Sequence, residues 1–286
     1  MSEVLSDELN TIPPHSGWLP SFLRKVKEHG EENGFVEAFH HALQGANISV
    51  NIDGDVDRLK EHTGGILFVG DHKTRWEFIA IADVLSQIER SELLNIAKFY
   101  VQRQVYMMLG HKAANEHVIP VYPRILARDR LDIFNYEFSS RFLFRKHLLS
   151  FAESLEANAH SLAKASQALV KSSAVNIHPT GCVEDATIHE WRSGIGRIIQ
   201  QIPDENKGDV LLAPYSVDNF SQARLLGAIA THGFGPFGRP QSMEVKLGSL
   251  QTTLDLVEEL PHEEREDPEA ITERLRTHFL KDFANQ

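Results

Sequence analysis

Cysteine is almost absent from this chain, since Cys182 is the only one among 286 residues. A single cysteine excludes an intramolecular disulfide and any zinc site built from several cysteines, and it favours a reducing compartment. Long apolar runs are also lacking, because GILFVG and VLLAP are far shorter than the roughly 18 residues of a membrane span. The first residues, MSEVLSDELN, lack the basic and apolar pattern of a secretion signal. We therefore expect a soluble, cytoplasmic protein.

Basic residues are scarce: 29 lysines and arginines stand against 40 aspartates and glutamates, for a net charge of −11. A nucleic-acid interface needs a concentrated basic face, so this balance argues against a nucleic-acid partner. An anionic ligand would instead have to be bound by a local cluster of arginines and lysines. The apolar content of 42% is ordinary for a globular protein and is sufficient for a substantial core.

Short apolar segments alternate with longer amphipathic ones along most of the chain, which is typical of alternating strands and helices. Strands are predicted at 47–52, 65–70, 94–100, 117–121, 174–178, 209–215 and 242–247. Helices are predicted between them at 77–89, 101–110, 143–172, 191–201, 219–232 and 268–283. This order predicts an α/β fold, with a mostly parallel sheet of about seven strands covered by helices. In such sheets the ligand crevice lies at the carboxyl ends of the strands.

Two short helices are expected ahead of the sheet, at 18–29 and 34–44, separated by the helix-breaking segment HGEENG. The chain therefore divides into an N-terminal tail and helix pair, 1–45, and a main domain, 46–286. Segment 18–29 mixes aromatic and leucine side chains with arginine and lysine, a composition that suits a helix lying on a membrane surface. An amphipathic helix packed on its own domain explains the same pattern, and both alternatives stay open.

The richest polar segment, DHKTRWE at 71–77, directly follows the apolar strand GILFVG. Glu77 is expected in the first turn of the next helix, where the helix dipole favours a carboxylate, and it can face His72. The carboxylate would then accept the Nδ1 proton and leave Nε2 free to take a proton from a hydroxyl. His111 and His262 also precede an acid by five positions, but neither follows an apolar strand, and we interpret both as surface residues. A loop or cap histidine is the alternative for His72.

The segment GGILFVGDHKTRWEFIAIADVL resembles the first block of the glycerol-3-phosphate and lysophosphatidate acyltransferases, in which an Asp follows a His by five residues. Three further blocks are similar and occur in the family's order: HVIPVYPR, then VNIHPTGCVED with WRSGIGRII, then VLLAPYSV. The resemblance covers about 47–283. It implies a glycerolipid acyltransferase-like fold. It also implies transfer of an acyl group from a thioester, on coenzyme A or an acyl carrier protein, to a hydroxyl of a (lyso)glycerolipid-type acceptor, with His72 as general base and Glu77 as its orienting partner.

Three basic residues are candidates for binding an anionic acceptor. Arg124 ends the second block, at the carboxyl end of a strand, where its guanidinium fork suits a phosphate or carboxylate. Lys73 and Arg75 flank the proposed base and would add positive potential. A surface ion pair is the alternative for Arg124, and surface charge at a helix start is the alternative for the other two.

The turn of the third block, with Thr180, Gly181 and Cys182, is a candidate source of backbone N–H donors for the oxyanion. An ordinary strand-to-loop turn is the alternative. Thr180 stands where the family has Glu, and Val183 where it has Arg; Glu77 replaces the family's Asp. Because a thioester is already activated, the reaction needs no metal, no cofactor and no covalent enzyme intermediate.

Two other functions fit the same residues. Cys182 could act as a nucleophile in a ping-pong cycle. Alternatively, the chain is a non-catalytic module that binds an acyl chain or an acyl carrier protein. The basic segment SSRFLFRKHL could meet an acidic carrier protein or the coenzyme A phosphates, although a solvated helix face explains it equally well. The long segment 126–172 could cover the site or shape an acyl pocket.

Overall fold

The structure is a computed structural model, which describes residues 26, 29–30, 32–70, 77–98, 118–121, 151–180, 187, 190–219 and 241–284. Within these ranges one sheet contains eight strands: β1 Ile48–Asp53, β2 Gly65–Gly70, β3 Leu93–Lys98, β4 Val118–Val121, β5 Ala174–Ile177, β6 Val210–Asp218, β7 Gln241–Leu247 and β8 Gln251–Thr252. The same ranges contain eight α-helices: α1 Phe35–Gly45, α2 Val56–Glu61, α3 Glu77–Gln87, α4 Phe151–Val170, α5 Gly194–Gln200, α6 Asp204–Lys207, α7 Thr253–Glu258 and α8 Pro268–Phe283. A single 3₁₀ turn, His262–Glu264, is also described.

The strand order is β1-β7-β6-β2-β5-β3-β4, and β8 pairs with the early part of β6. The five strands β6, β2, β5, β3 and β4 are parallel neighbours, so their carboxyl ends lie at one edge of the sheet. Strand β7 runs antiparallel to β6 and parallel to β1. The prediction of an α/β fold with a mostly parallel, helix-covered sheet is confirmed, and each predicted strand coincides with an observed one.

The central strand β2 is buried along its whole length, as the apolar run GILFVG predicted. Its side chains alternate between two cores, because successive residues of a strand point to opposite faces. Ile66 and Phe68 join the first core, beneath α1 and α3, whereas Leu67 and Val69 join the second core, beneath α4, α5, α7 and α8. Burying each such side chain contributes about 1.5–3 kcal/mol, which fixes the strand and therefore the position where its carboxyl end emerges.

Helix α1 confirms the predicted helix at 34–44 and packs on the first core through its apolar face. Phe39 lies edge-to-face against Phe78 of α3, with ring centroids 5.8 Å apart. The described part of the predicted helix 18–29 consists of residues 26 and 29 alone, both helical. The predicted helices at 101–110 and 219–232, and the first part of 143–172, lie outside the described residues. The division into 1–45 and 46–286 stays a prediction.

The unpredicted elements are all short, since α2 and α7 have six residues each and α6 has four. Local capping explains where α2 and α7 begin better than apolar periodicity does. The Asp55 side chain accepts from Arg58 N at the start of α2, and Thr252 and Asp255 form a capping box at the start of α7. No helix in the described part of the chain has the length and apolar character needed to cross a membrane.

Candidate active site at the carboxyl edge of the sheet

The strands of three blocks that the sequence singled out, β2, β5 and β6, are adjacent in the sheet. Strand β2 lies between β5 and β6, and the register pairs Val69 with Ile177 and Gly70 with Tyr215. The strand of the second block, β4, is separated from β5 by β3 alone. All four strands are parallel, so the segments that follow them leave the sheet at the same edge, where α/β proteins bind ligands.

Glu77 is the first residue of α3 and is 1% exposed. The helix is buried from Glu77 to Leu85, so the Glu77 side chain is almost completely shielded from solvent. Burying an ionised carboxylate is costly unless it is paired and hydrogen-bonded, although the helix N-terminus offsets part of the cost. This position therefore requires a specific partner for the carboxylate.

Residues 71–76 of the first block join β2 to α3 and lie outside the described residues. They include three candidates, His72, Lys73 and Arg75. Arg124, three positions after the end of β4, also lies outside the described residues. Their roles stay predictions.

Among the other histidine and acid pairs, His262 is exposed, and the Asp267 side chain accepts from Glu269 N at 2.9 Å as the N-cap of α8. This supports the interpretation of His262 as a surface residue.

The third block begins within β5, and its described residues 175–180 are buried except for the half-buried His178. Thr180 is 2% exposed, whereas Gly181 and Cys182 lie outside the described residues. Arg192 connects the turn to the start of α5, because its Nε donates to Thr180 O at 3.3 Å and its backbone N donates to Pro179 O at 2.9 Å. Arg192 lies in the segment WRSGIGRII, but its function in holding this turn was not predicted.

A buried polar network underlies the carboxyl edge and was also missed. Asn176 of β5 is fully buried; its Nδ2 donates to Asn95 Oδ1 at 2.7 Å, and its Oδ1 accepts from Tyr215 Oη at 2.8 Å. The ring of His178 lies against Tyr215, with centroids 6.5 Å apart. Its Nδ1 is 3.2 Å from the carbonyl oxygen of Gly70. The available signal was an asparagine inside each of two mainly apolar strands, LLNIAK and AVNI.

A second buried carboxylate lies further along α3. Asp83 Oδ1 is 2.8 Å from His40 Nδ1 of α1, and Gln87 Nε2 donates to Asp83 Oδ2 at 2.7 Å. Burial raises the pKa of Asp83 above its ordinary value, although the hydrogen bonds from Gln87 and His40 oppose the shift. Since Gln87 also donates to Val50 O, this cluster joins α1, α3 and β1. It is a packing feature of the first core rather than a part of the carboxyl edge.

Within the described residues, no group of three or more histidine, cysteine, aspartate or glutamate side chains is arranged to hold a metal ion. The absence of a metal and of a cofactor stays a prediction. No protein-family model and no curated protein matches this chain.

Proposed function

We propose that this protein is an O-acyltransferase that moves a fatty acyl group from a coenzyme A or acyl-carrier-protein thioester to an acceptor hydroxyl. His72 acts as the general base, and Glu77 orients it. The acceptor is a (lyso)glycerolipid or a related alcohol. The sequence resemblance supports this reaction class through four blocks in the family's order, and the parallel strands that carry them share one edge.

The burial of Glu77 carries the proposal. A carboxylate that is 1% exposed, in an apolar helix that begins seven residues after the last residue of β2, is unusual unless a cationic or N–H donor partner meets it. His72 lies five residues earlier in the connecting segment and is a suitable partner. A hydrogen bond from Nδ1 to this carboxylate would hold Nε2 as the proton acceptor and stabilise the imidazolium formed during reaction.

The chemistry balances without a covalent enzyme intermediate. His72 Nε2 takes the proton of the acceptor hydroxyl while the oxygen attacks the thioester carbonyl. The tetrahedral intermediate collapses with formation of the ester and loss of the thiolate, which receives the proton from the imidazolium. Backbone N–H groups of the turn at Thr180, Gly181 and Cys182 stabilise the oxyanion. Their positions beyond β5, the immediate neighbour of β2, support this function.

The basic candidates bind the anionic part of the acceptor. Arg124 follows β4 at the shared edge and binds a phosphate or carboxylate, while Lys73 and Arg75 add positive potential next to the base. Contact with a membrane through residues 18–29 would bring a lipid acceptor to the site. Location in the cytoplasm, with peripheral association with a membrane, is part of the same proposal.

The test is an acceptor screen with a radiolabelled long-chain acyl thioester, in which the wild type is compared with His72→Ala and with His262→Ala. The proposal requires ester formation with at least one lipid or small-molecule alcohol, loss of nearly all of it in His72→Ala, and no loss in His262→Ala. Full turnover in His72→Ala would reject the assigned base.

Mass spectrometry after rapid mixing with the thioester alone separates direct transfer from a ping-pong cycle. A stable acyl-enzyme on Cys182 would replace direct transfer with a ping-pong cycle.

A further inference from the structure

The hydrogen-bond ladder between β2 and β5 lacks one backbone donor at the carboxyl edge. Ile66 N donates to Ser173 O at 3.3 Å, which together with the register fixes the phase of this parallel ladder. With that phase, β5 donates to β2 through the N–H groups of every second residue, 175, 177 and then 179. Residue 179 is proline and has no N–H. The Gly70 carbonyl, next in the series on β2, therefore cannot receive the donor that would continue the ladder.

The side chain of His178 supplies the missing donor. Its Nδ1 lies 3.2 Å from Gly70 O, and because a carbonyl oxygen only accepts, Nδ1 carries the hydrogen. The other ring nitrogen, Nε2, is then an acceptor and faces Asn176 Nδ2 at 3.4 Å. An imidazole thus replaces a backbone amide at the point where the paired strands separate.

The buried network fixes both the tautomer and the orientation of this ring. Asn176 uses its oxygen for Tyr215 Oη and its nitrogen for Asn95 Oδ1 and His178 Nε2. Turning the amide over would place its nitrogen against the tyrosine hydroxyl and its oxygen against the asparagine oxygen. Since the amide is fully buried, no water is available to compensate for such a reversal. The network therefore favours one arrangement of the His178 ring.

We infer that His178 is a positioning residue for the segment that carries the catalytic base. Its Nδ1–H holds the carbonyl of Gly70, which lies two residues before His72 in the chain. This inference rests on the proposed acyl transfer and adds to it the group that fixes where the segment leaves the sheet. A shift of about 1 Å at a reacting group can cost about 100-fold in rate, so loss of this single bond should reduce kcat.

The first test compares His178→Leu with His178→Asn. Leucine removes the donor, whereas the amide nitrogen of asparagine can occupy roughly the place of Nδ1. We expect His178→Leu to lower kcat about 10- to 100-fold with the KM for the thioester changed less than about 3-fold, and His178→Asn to remain within about 3-fold of the wild type. His262→Leu is the matched control, because it removes an exposed histidine. A normal kcat in His178→Leu, or an equal loss in a folded His178→Asn, would overturn the inference.

The second test restores the missing backbone donor. In the double variant His178→Leu with Pro179→Ala, residue 179 regains an N–H at the position where the ladder needs it. We expect the double variant to recover a large part of the kcat lost in His178→Leu, at least about 5-fold. A side chain that acted only by filling space would not be replaced by an N–H on the next residue, so absence of recovery in a folded double variant contradicts the inference.

A readout without catalysis separates failure of this inference from failure of the proposed function. Long-range ¹H–¹⁵N spectra of the histidine rings, assigned with His178→Asn, report which nitrogen carries the hydrogen at neutral pH. The inference requires the Nδ1-protonated tautomer for His178. The Nε2-protonated tautomer would overturn it, even if acyl transfer is found. If no acceptor is acylated but the Nδ1 tautomer is observed, the hydrogen bond from His178 to Gly70 is supported, whereas the proposed reaction and the effect of His178 on its rate are rejected.

Discussion

Tyr215 reaches Asn176 by crossing over Gly70: its hydroxyl donates to Asn176 Oδ1 at 2.8 Å, and its ring occupies the space that a side chain at residue 70 would need. The bond spans from β6 to β5 across the intervening strand β2. A glycine at the end of β2 is thus required by a close approach rather than by a turn. The hydrogen bond between Tyr215 and Asn176 therefore links β6 to β5 next to the carboxyl edge of the sheet.

Tyr215→Phe should lower the free energy of unfolding by about 1–3 kcal/mol, because it leaves the buried Asn176 oxygen without its donor while the ring is preserved. Urea denaturation, with the slope unchanged, measures the loss. Thr277→Val is the control, since it removes an exposed hydroxyl that donates within α8, and it should have a much smaller effect. Equal stability of Tyr215→Phe and the wild type would show that the bridge contributes nothing.

Gly70→Ala should destabilise the fold by about 1–3 kcal/mol, because the added methyl group overlaps the Tyr215 ring. Combining it with Tyr215→Ala should cost less than the sum of the two single changes, since the shortened side chain removes the overlap. Gly45→Ala is the matched control, because nothing lies within 4 Å of a Cβ at this helical position. It should be neutral or stabilising by up to about 1 kcal/mol. Strict additivity at residues 70 and 215 would argue against the overlap.

The sequence predicted the sheet well because its strands are short, apolar and separated by clear breakers. GILFVG and VLLAPY could be assigned as buried strands by pattern alone. The parallel direction of most strands followed from the helices between them. The position of Glu77 at the start of a helix was predicted for the same reason, through the acid in the first turn. These features depend on local composition, which a single sequence contains.

The buried polar network next to the carboxyl edge of the sheet could not be predicted in this way. Asn95, Asn176 and Tyr215 are separated by up to 120 positions, and they meet because β5 is inserted between β2 and β3 while β6 lies on the other side. That strand order is not encoded in periodicity. Likewise, the donor function of His178 depends on the ladder phase and on Pro179, which become informative only when the register is known.

Glu77→Gln should reduce kcat by about 10- to 1000-fold while the protein stays folded, because the amide keeps the size of the side chain but not its charge. Steady-state acyl transfer with the acceptor found in the screen gives kcat and KM, and circular dichroism checks the fold. Glu77→Asp keeps the carboxylate and should retain more activity than glutamine. The control is Glu89→Gln, whose side chain is 78% exposed beside Lys60. Full activity in Glu77→Gln would remove this residue from the proposed pair.

Arg124→Ala should raise the KM for an anionic acceptor about 10-fold or more and leave the KM for the thioester nearly unchanged, because a guanidinium fork binds one partner bidentately. Initial rates with either substrate varied separate the two constants. Arg197→Ala is the control, since this arginine lies exposed on α5. An equal weakening of both substrates would contradict a function in acceptor binding.

The carboxyl group of Asp83 makes stability depend on pH in a direction that can be measured. Burial holds the pKa of Asp83 above its ordinary 3.8, against hydrogen bonds from Gln87 and His40. Between 3.8 and the folded-state pKa, the folded protein retains a proton that the unfolded chain has released. The contribution of Asp83 to stability therefore falls as pH rises through that window and stays at the lower level above it.

Asp83→Asn should remove this dependence, because asparagine has no proton to release. The free energy of unfolding of the wild type minus that of Asp83→Asn should thus decrease from about pH 4 upwards, in urea titrations at a series of pH values. Asp255→Asn gives the opposite trend, since hydrogen bonds from the Thr252 side chain and backbone lower the pKa of Asp255. The contribution of Asp255 to stability is present above the ordinary pKa and is lost as pH falls through the lowered pKa. The two differences in the free energy of unfolding, one for each variant, should change with pH in opposite directions. If they changed in the same direction, burial of Asp83 would not explain the pH dependence of stability.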